Sequence, residues 1–287
     1  NWFVSVSSLM TLISTAHRGL SMPSLVITAV VIMTEQSVET VMLRAVNLAL
    51  NEIDEYWYNT VPWEPKGVDD RVTFLDKQIE KKVQSFLQEY SNYGFMGEEY
   101  GVKSRGERLW VLDPIDGTVN FTVRLPMVAV SLALMEGDKT VLGAVGEAVS
   151  KRIYWSDGKH LYLDNAAVSN SRKVSTLGEA FVGLGTPRKD DPYAAGYCEF
   201  LAAVQKKAMR LRMLGSAALG LTYVATGALD AFLLPRFELW DVAAGRLLVE
   251  VSGGSYWQEG PNAVLIAARN ETLLQDLKQI WYGVNCK

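Results

Sequence analysis

Residues 113–118 read Asp-Pro-Ile-Asp-Gly-Thr and directly follow an apolar run, Leu109-Trp110-Val111-Leu112. A short continuous apolar run predicts a buried strand, so two carboxylates three positions apart fall where a strand gives way to a turn. Pro114 fixes φ and has no N–H, which predicts that the ladder ends there. Gly117 can take φ > 0 or let a ligand approach the backbone closely. Carboxylates on such a turn project into one small volume, which is unfavourable unless a cation neutralises them or one takes up a proton. Hard cations such as Mg²⁺ take oxygen ligands of this kind, with the Ile115 carbonyl as a further donor. Taken alone, the hexapeptide reads equally well as an Asp-rich turn that caps a following helix.

The rest of the chain supplies the layers around this turn. Apolar residues at Val38, Val41, Met42, Ala45, Val46, Ala49, Ile53, Tyr56 and Trp57 form a helical stripe, which Pro62 and Pro65 end. A loop, Lys66–Asp70, precedes a second helix with Ile79, Val83, Phe86, Leu87 and Tyr90 on one face. Then come apolar runs at 127–135 and 140–149, and shorter ones at 153–155 and 160–163 around Asp157-Gly158, a type I′ turn signal. Helices followed by an antiparallel meander are therefore expected first. Strands at 180–185, 211–214, 231–234 and 263–267 then alternate with helices at 193–209, 216–226, 240–251 and 272–281. Gly227 stands as a C′ residue. This is α/β (α+β) organisation, with a 34–180 subdomain of helices and meander and an alternating 181–287 subdomain. Residues 1–33 are apolar and Ser/Thr-rich, and the charged, helix-periodic sequence begins at Met33-Thr34-Glu35. They are expected to be an extension outside the core, with a processed targeting segment as the alternative. Their longest clean apolar stretch, 25–33, is far short of the ~20 residues that span a bilayer.

Composition narrows the chemistry. A net charge of −4 over 287 residues gives no footprint of a nucleic-acid binder. Cys198 and Cys286 are too few and too far apart for a disulfide framework or zinc site, which fits a reducing cytoplasm. His17 and His160 are the only histidines, and neither lies near another motif, so histidine-based acid–base chemistry is not expected.

Three further acidic features join the hexapeptide: Gly97-Glu98-Glu99, Asp76 after Val72-Thr73, and Trp240-Asp241-Val242-Ala243-Ala244. Separately, Glu98 and Glu99 suit a solvated turn, and Asp76 and Asp241 suit helix caps. In this order and spacing, however, they resemble the inositol monophosphatase family. So do Asp70-x-Val-Thr-x-x-Asp76-x-x-x-Glu80 and Gly215-Ser216-Ala217-Ala218, and the resemblance runs from about Met33 to the C-terminus. It implies a layered α-β-α-β-α sandwich and two or three Mg²⁺ ions held by Glu98, Asp113, the Ile115 carbonyl, Asp116 and Asp241. Asp76 and Thr118, with Glu98, are then implied in activating water. Asp116, Gly117, Thr118 and Ala217 are implied at the phosphate; Arg236 is a substrate-side candidate read from the residues, not from the resemblance. A small phosphorylated metabolite, lithium sensitivity and a cytoplasmic homodimer follow from the same resemblance, with no membrane or nucleic-acid partner.

The chain also departs from the family. Inositol-specific members carry a Glu seven residues before the Trp-Asp aspartate, where this chain has Leu234. Glu238 or Arg236 is the nearest replacement. Arg124 follows the Asn-Phe pair where small or His-Gly residues are common. Each arginine suits either a solvated surface or a second phosphate. The expected activity is phosphomonoester hydrolysis by metal-activated water on a polyol or sugar phosphate, inositol monophosphate first. The alternatives are a fructose-1,6-bisphosphatase, a 3′-phosphonucleotide phosphatase and a non-catalytic interaction protein that retains the fold.

Overall fold

The computed structural model describes residues 36–104, 106–169, 172–260 and 263–285; the expected extension at 1–33 and Cys286 lie outside them. The described residues divide into two units, with the boundary between Thr40 and Val41. In the first, Ser37 Oγ accepts the Thr40 N–H at 3.3 Å, at the start of helix α1 (Val38–Tyr56).

The second unit carries the sheets. α1 buries Val41, Met42, Ala45, Val46, Ala49, Leu50 and Ile53, the stripe that its spacing predicts. Strands β1 (Trp63–Gly67) and β2 (Asp70–Thr73) follow as an antiparallel hairpin, although a loop was expected there. Pro65 is tolerated because a two-stranded ribbon has only edges. Next come α2 (Phe74–Tyr90), β3 (Gly94–Gly97), β4 (Gly101–Ser104), β5 (Arg108–Asp116) and the short α3 (Thr118–Thr122). The meander is β6 (Ala129–Glu136), β7 (Lys139–Glu147), β8 (Ile153–Ser156), β9 (Leu161–Leu163) and β10 (Ala166–Ala167). Together these build an eight-stranded sheet in the order β10-β9-β8-β7-β6-β5-β3-β4, antiparallel except where β3 runs beside β5.

Two local expectations are corrected. β5 does not stop at Pro114. It continues to Asp116, and its register against β6 shifts between Asp113 and Asp116, so the proline sits in a bulge where its missing N–H is harmless. On its other side the pairing with β3 ends at Leu112. At Asp157-Gly158 only the glycine has positive φ, so the turn is not type I′. The Asp157 carboxylate instead accepts the N–H groups of Lys159 and His160, at 2.9 and 2.8 Å.

The second half alternates as read: β11 (Phe181–Leu184), α4 (Ala194–Gln205), β12 (Arg210–Met213), α5 (Ala217–Thr226), β13 (Ala231–Leu234) and α6 (Leu239–Val251). After these come β14 (Ser255–Gln258), which has no counterpart in the sequence reading, β15 (Leu265–Ala268) and α7 (Glu271–Asn285). The sheet order is β12-β11-β13-β15-β14, with β12, β11 and β13 parallel.

The layers follow from which faces are apolar. α1 and α2 cover the outside of the first sheet, where a Cβ at Gly146 would come within 2.6 Å of Val46. α5 and α6 pack on each other between the two sheets. Small residues let them approach: a Cβ at Gly143 of β7 would lie 3.1 Å from Ala244 of α6, and one at Gly245 would lie 2.6 Å from Leu221 of α5. α4 and α7 close the far side, with Phe200 edge-on to Trp281 at 5.3 Å. Burying a phenylalanine of this kind is worth roughly 1.5–3 kcal/mol. The result is the layered α/β sandwich. The boundary read at 180/181 falls between the two sheets, and one core cluster draws on both sides of it, from Val111 and Val145 to Phe232 and Leu265. No described helix is long and apolar enough to cross a membrane.

Candidate active site

The bulge in β5 lets the strand deliver two buried carboxylates. Asp113 is 2% exposed and Asp116 7%. Asp113 Oδ1 accepts the Ile115 N–H at 3.0 Å. The Asp116 carboxylate reaches the start of α5: Oδ1 accepts the Ala217 N–H at 3.0 Å, and Oδ2 accepts the Ala218 N–H at 2.9 Å and the Ser216 hydroxyl. An anion at a helix N-terminus satisfies donors that have no intrahelical acceptor. Gly117 then takes φ 89°, a left-handed turn that a Cβ would block 2.7 Å from the Met127 carbonyl. Thr118 follows as the first residue of α3. Asn120 fastens the turn to the loop before α5 through its amide, at 2.8 Å from both the Met127 and Leu214 carbonyls.

Two helix starts bring the other aspartates. Thr73 caps α2, and Asp76 is the third residue of its capping box, accepting the Thr73 N–H and hydroxyl at 2.8 and 2.6 Å. Its other oxygen lies 3.0 Å from Thr118 Oγ, which is also 2.9 Å from the Ile115 carbonyl. The hydroxyl has one proton, so it donates to one of them at a time. Asp241 is likewise the third residue of the α6 capping box and accepts the Glu238 N–H at 2.7 Å. Both aspartates therefore fill the cap role and stand at the site as well.

The carboxylates crowd one another. Burial, then the charges of Glu98, Asp116 and Asp241, hold the Asp113 carboxyl well above the usual carboxylate range. Burial foremost, with Glu98 and Asp116, does the same to Asp241. Asp116 is pushed up to about 6 by burial, against the pull of Ser216 and the α5 amides. Asp76 is also pushed up to about 6, again chiefly by burial. On the hairpin, Lys66 sits 2.7 Å from Glu98 and 2.5 Å from Glu99. Burial works against its ammonium, but the two glutamates outweigh that and raise its pKa.

Among the described residues, no group of three or more His, Cys, Asp or Glu side chains stands in a ready-made ligand arrangement. The geometry explains this: Glu98 is turned to Lys66, and Asp113, Asp116 and Asp241 each rest on nearby N–H groups. The three aspartates still share one electrostatic neighbourhood, in which the charge of Glu98 helps to raise each of their pKa values. A buried all-oxygen donor set with excess negative charge fits a hard divalent cation.

A cleft of about 410 Å³ brings together Glu98, Asp113, Ile115, Asp116, Gly117, Thr118, Ala217, Arg236 and Asp241. Asp76 is buried behind Thr118. Leu234 also lines the cleft, as do Asp70, Gly185, Thr186 and Arg188. The last three were missed. Arg188 belongs to no motif, and its one signal was its place just beyond a parallel strand, where α/β sheets bind ligands. Its guanidinium pairs with Asp70 at 2.6 Å. Arg124 lies elsewhere: it has φ 58° and donates to the Tyr58 carbonyl at 3.1 Å, beside a small separate cavity. A larger cavity, about 590 Å³, near Lys207 and Asp276 gathers no comparable set of polar groups, so the smaller cleft is the candidate site.

The inositol monophosphatase family model matches residues 34–279. The chain belongs to the inositol monophosphatase family. It is 33% identical over 190 residues to a fructose-1,6-bisphosphatase/inositol-1-monophosphatase of Thermotoga maritima, covering 66% of this chain and 71% of that one. To an inositol-1-monophosphatase of Caulobacter vibrioides it is 34% identical over 194 residues, 66% and 76% of the two chains. The crystal structure of the extragenic suppressor protein SuhB of Bartonella henselae superposes with a TM-score of 0.79 at 28% identity, covering 86% of this chain and 98% of that one. As a member of this family the chain is a phosphatase, a phosphoric monoester hydrolase. The family is generally metal-dependent, in keeping with the donor set.

Proposed function

We propose that the chain is a Mg²⁺-dependent phosphomonoesterase acting on a small polyol or sugar phosphate, with inositol monophosphate as the first candidate. The observation that carries this reading is the carboxylate quartet Glu98, Asp113, Asp116 and Asp241, two of them buried, converging on a cleft beside the Asp76–Thr118 pair. Glu98, Asp113, the Ile115 carbonyl, Asp116 and Asp241 would hold the cations. Bound Mg²⁺ would neutralise the phosphate, acidify water and stabilise the leaving alkoxide. The chain's own residues supply position and proton transfer. Asp116 is held rigid by the α5 amides, so its orientation needs no adjustment when substrate binds. Water bonds to phosphorus as its proton passes to Thr118 Oγ, while the Thr118 proton moves to Asp76. The P–O bond to the alcohol breaks, and the alcohol takes a proton from solvent. The decisive test is phosphate release from inositol 1-phosphate with Mg²⁺ and with EDTA. Release that requires Mg²⁺ is expected; no release, or release indifferent to EDTA, defeats the proposal.

A second reading is favoured by Arg188 and Arg236 in the cleft wall, together with Leu234 in place of a hydroxyl-gripping Glu. Among the described residues Arg236 makes no hydrogen bond or ion pair, so its guanidinium is available to a second phosphate. Under this reading the substrate is a bisphosphate such as fructose 1,6-bisphosphate, as the name of the Thermotoga relative includes. Arg236→Ala should then lower kcat/KM for fructose 1,6-bisphosphate by about tenfold or more and leave inositol 1-phosphate nearly unchanged. Equal effects on both substrates count against the second reading.

A further inference from the structure

One buried charge at the site is used by none of the chemistry above. Glu80 lies on α2 one turn beyond Asp76 and is fully buried. Among the described residues it forms no ion pair. Its two oxygens accept backbone N–H groups instead, Glu99 at 2.7 Å and Tyr100 at 3.1 Å. Room for the carboxylate exists only because residue 97 is glycine: a Cβ there would lie 2.2 Å from Glu80 Cδ. On its other side the Glu98 N–H is held by the Leu112 carbonyl at 3.2 Å.

Burying a carboxylate without a cation is costly, and a turn this close to solvent could have its amides satisfied by water. The arrangement therefore has a purpose beyond closing the turn. Glu98 is the one ligand candidate borne on a turn rather than on β5 or a helix start, and it has Lys66 as a competing partner. Without a fixed backbone its carboxylate would swing with the hairpin. We propose that Glu80 is a positioning residue for Glu98: it clamps the 97–100 turn so that the Glu98 carboxylate is presented toward Asp113, and thereby sets the divalent-cation affinity of the site. The proposal rests on reading Glu98 and Asp113 as cation ligands.

The test uses Glu80→Gln, whose amide can accept only one of the two N–H groups and sets its own N–H against the other. In the metal-free protein, the Glu99 and Tyr100 amides should lose protection against hydrogen exchange. Calorimetric titration with Mn²⁺ should show affinity weakened by roughly 10–100-fold, the range seen when a partner that orients a metal ligand is removed. With saturating metal, kcat should stay near wild type. Loss of amide protection with Mn²⁺ affinity within twofold of wild type overturns the proposal, since Glu80 would then only close a turn. Should Glu80→Gln fail to fold, Gly97→Ala tests the same clamp by pushing the carboxylate off the amides, and the same weakening is expected. Asp113→Asn separates the two levels of inference. If it too leaves Mn²⁺ affinity intact, the cation site itself is misassigned; if it abolishes binding while Glu80→Gln does nothing, only the positioning role falls.

Discussion

Asp116 joins two parts of the chain a hundred residues apart, its carboxylate capping α5 from the end of β5. Asp113, beside it, has one N–H partner, that of Ile115, and is crowded by Glu98, Asp116 and Asp241. The two aspartates therefore predict different phenotypes. Asp113→Asn should cost more activity than the roughly 10–100-fold typical of residues that merely orient a ligand, measured as phosphate release, while far-UV CD stays unchanged. Thr118→Val keeps shape but removes the hydroxyl between water and Asp76. It should lower kcat by about 100-fold or more with little change in KM, as expected for loss of a proton-transfer group. A change confined to KM would place Thr118 in binding instead. These residues were legible in the sequence because short spacing ties them to strand and helix ends. Arg188 was not, because its place in the cleft depends on how two strands pair, and no local pattern records that.

At the scale of elements, the site is built from interruptions: a bulge in β5, a left-handed glycine and two capping boxes. Gly117→Ala meets both a positive φ and the Met127 carbonyl at 2.7 Å. It should destabilise the protein by about 1–3 kcal/mol, the cost of strained backbone at such positions, readable as a lower urea midpoint. An unchanged midpoint would mean that the turn relaxes elsewhere. The long helices α1, α2 and α6 were legible from apolar spacing, because burial of one face dictates that spacing. The β1–β2 hairpin was not: β1 is exposed throughout, only Val72 and Thr73 of β2 are buried, and Pro65, Gly67 and Asp69 mimic a loop. For Arg124 the sequence left open a solvated surface or a second phosphate; the chain turns left-handed there and carries it to Tyr58, away from the cleft.

For the whole molecule, the crowded carboxylates make stability depend on pH and on cations. Asp76 and Asp116 rise to about 6 in the folded state, and Asp113 and Asp241 rise as well. A carboxyl whose folded pKa exceeds its unfolded value contributes stability that is complete below about 4 and lost as pH rises through the folded value. Through these groups, the protein in EDTA should be less stable at pH 7.5 than at pH 5. Titrations remote from this cluster cancel when wild type is compared with Asp113→Asn, and relief of the neighbouring carboxylates adds to the difference. The variant's advantage in Tm should grow between pH 5 and 7.5 by a few degrees, given that about 1 kcal/mol moves Tm by roughly 2–4 °C at this size. An advantage independent of pH would show that Asp113 is ionised in the folded protein already at pH 5, so that its pKa is not raised. Added Mg²⁺ should raise the wild-type Tm and leave the variant's nearly unmoved.

β11 and β13 run side by side in the same direction, and the chain leaves both at the same end, into Gly185–Arg188 and Leu234–Arg236. Most of the hydrolytic carboxylates come from β5, the 97–100 turn and the start of α2, distant in sequence from both exits; Asp241 alone, at the start of α6, follows closely on Leu234–Arg236. On the proposed reading, most of the bond-breaking groups and the cleft wall that would meet the alcohol therefore lie on different stretches of chain, so that substitutions in 185–188 and 234–236 would retune which phosphate ester is accepted with the layers that carry Asp113 and Asp116 unchanged.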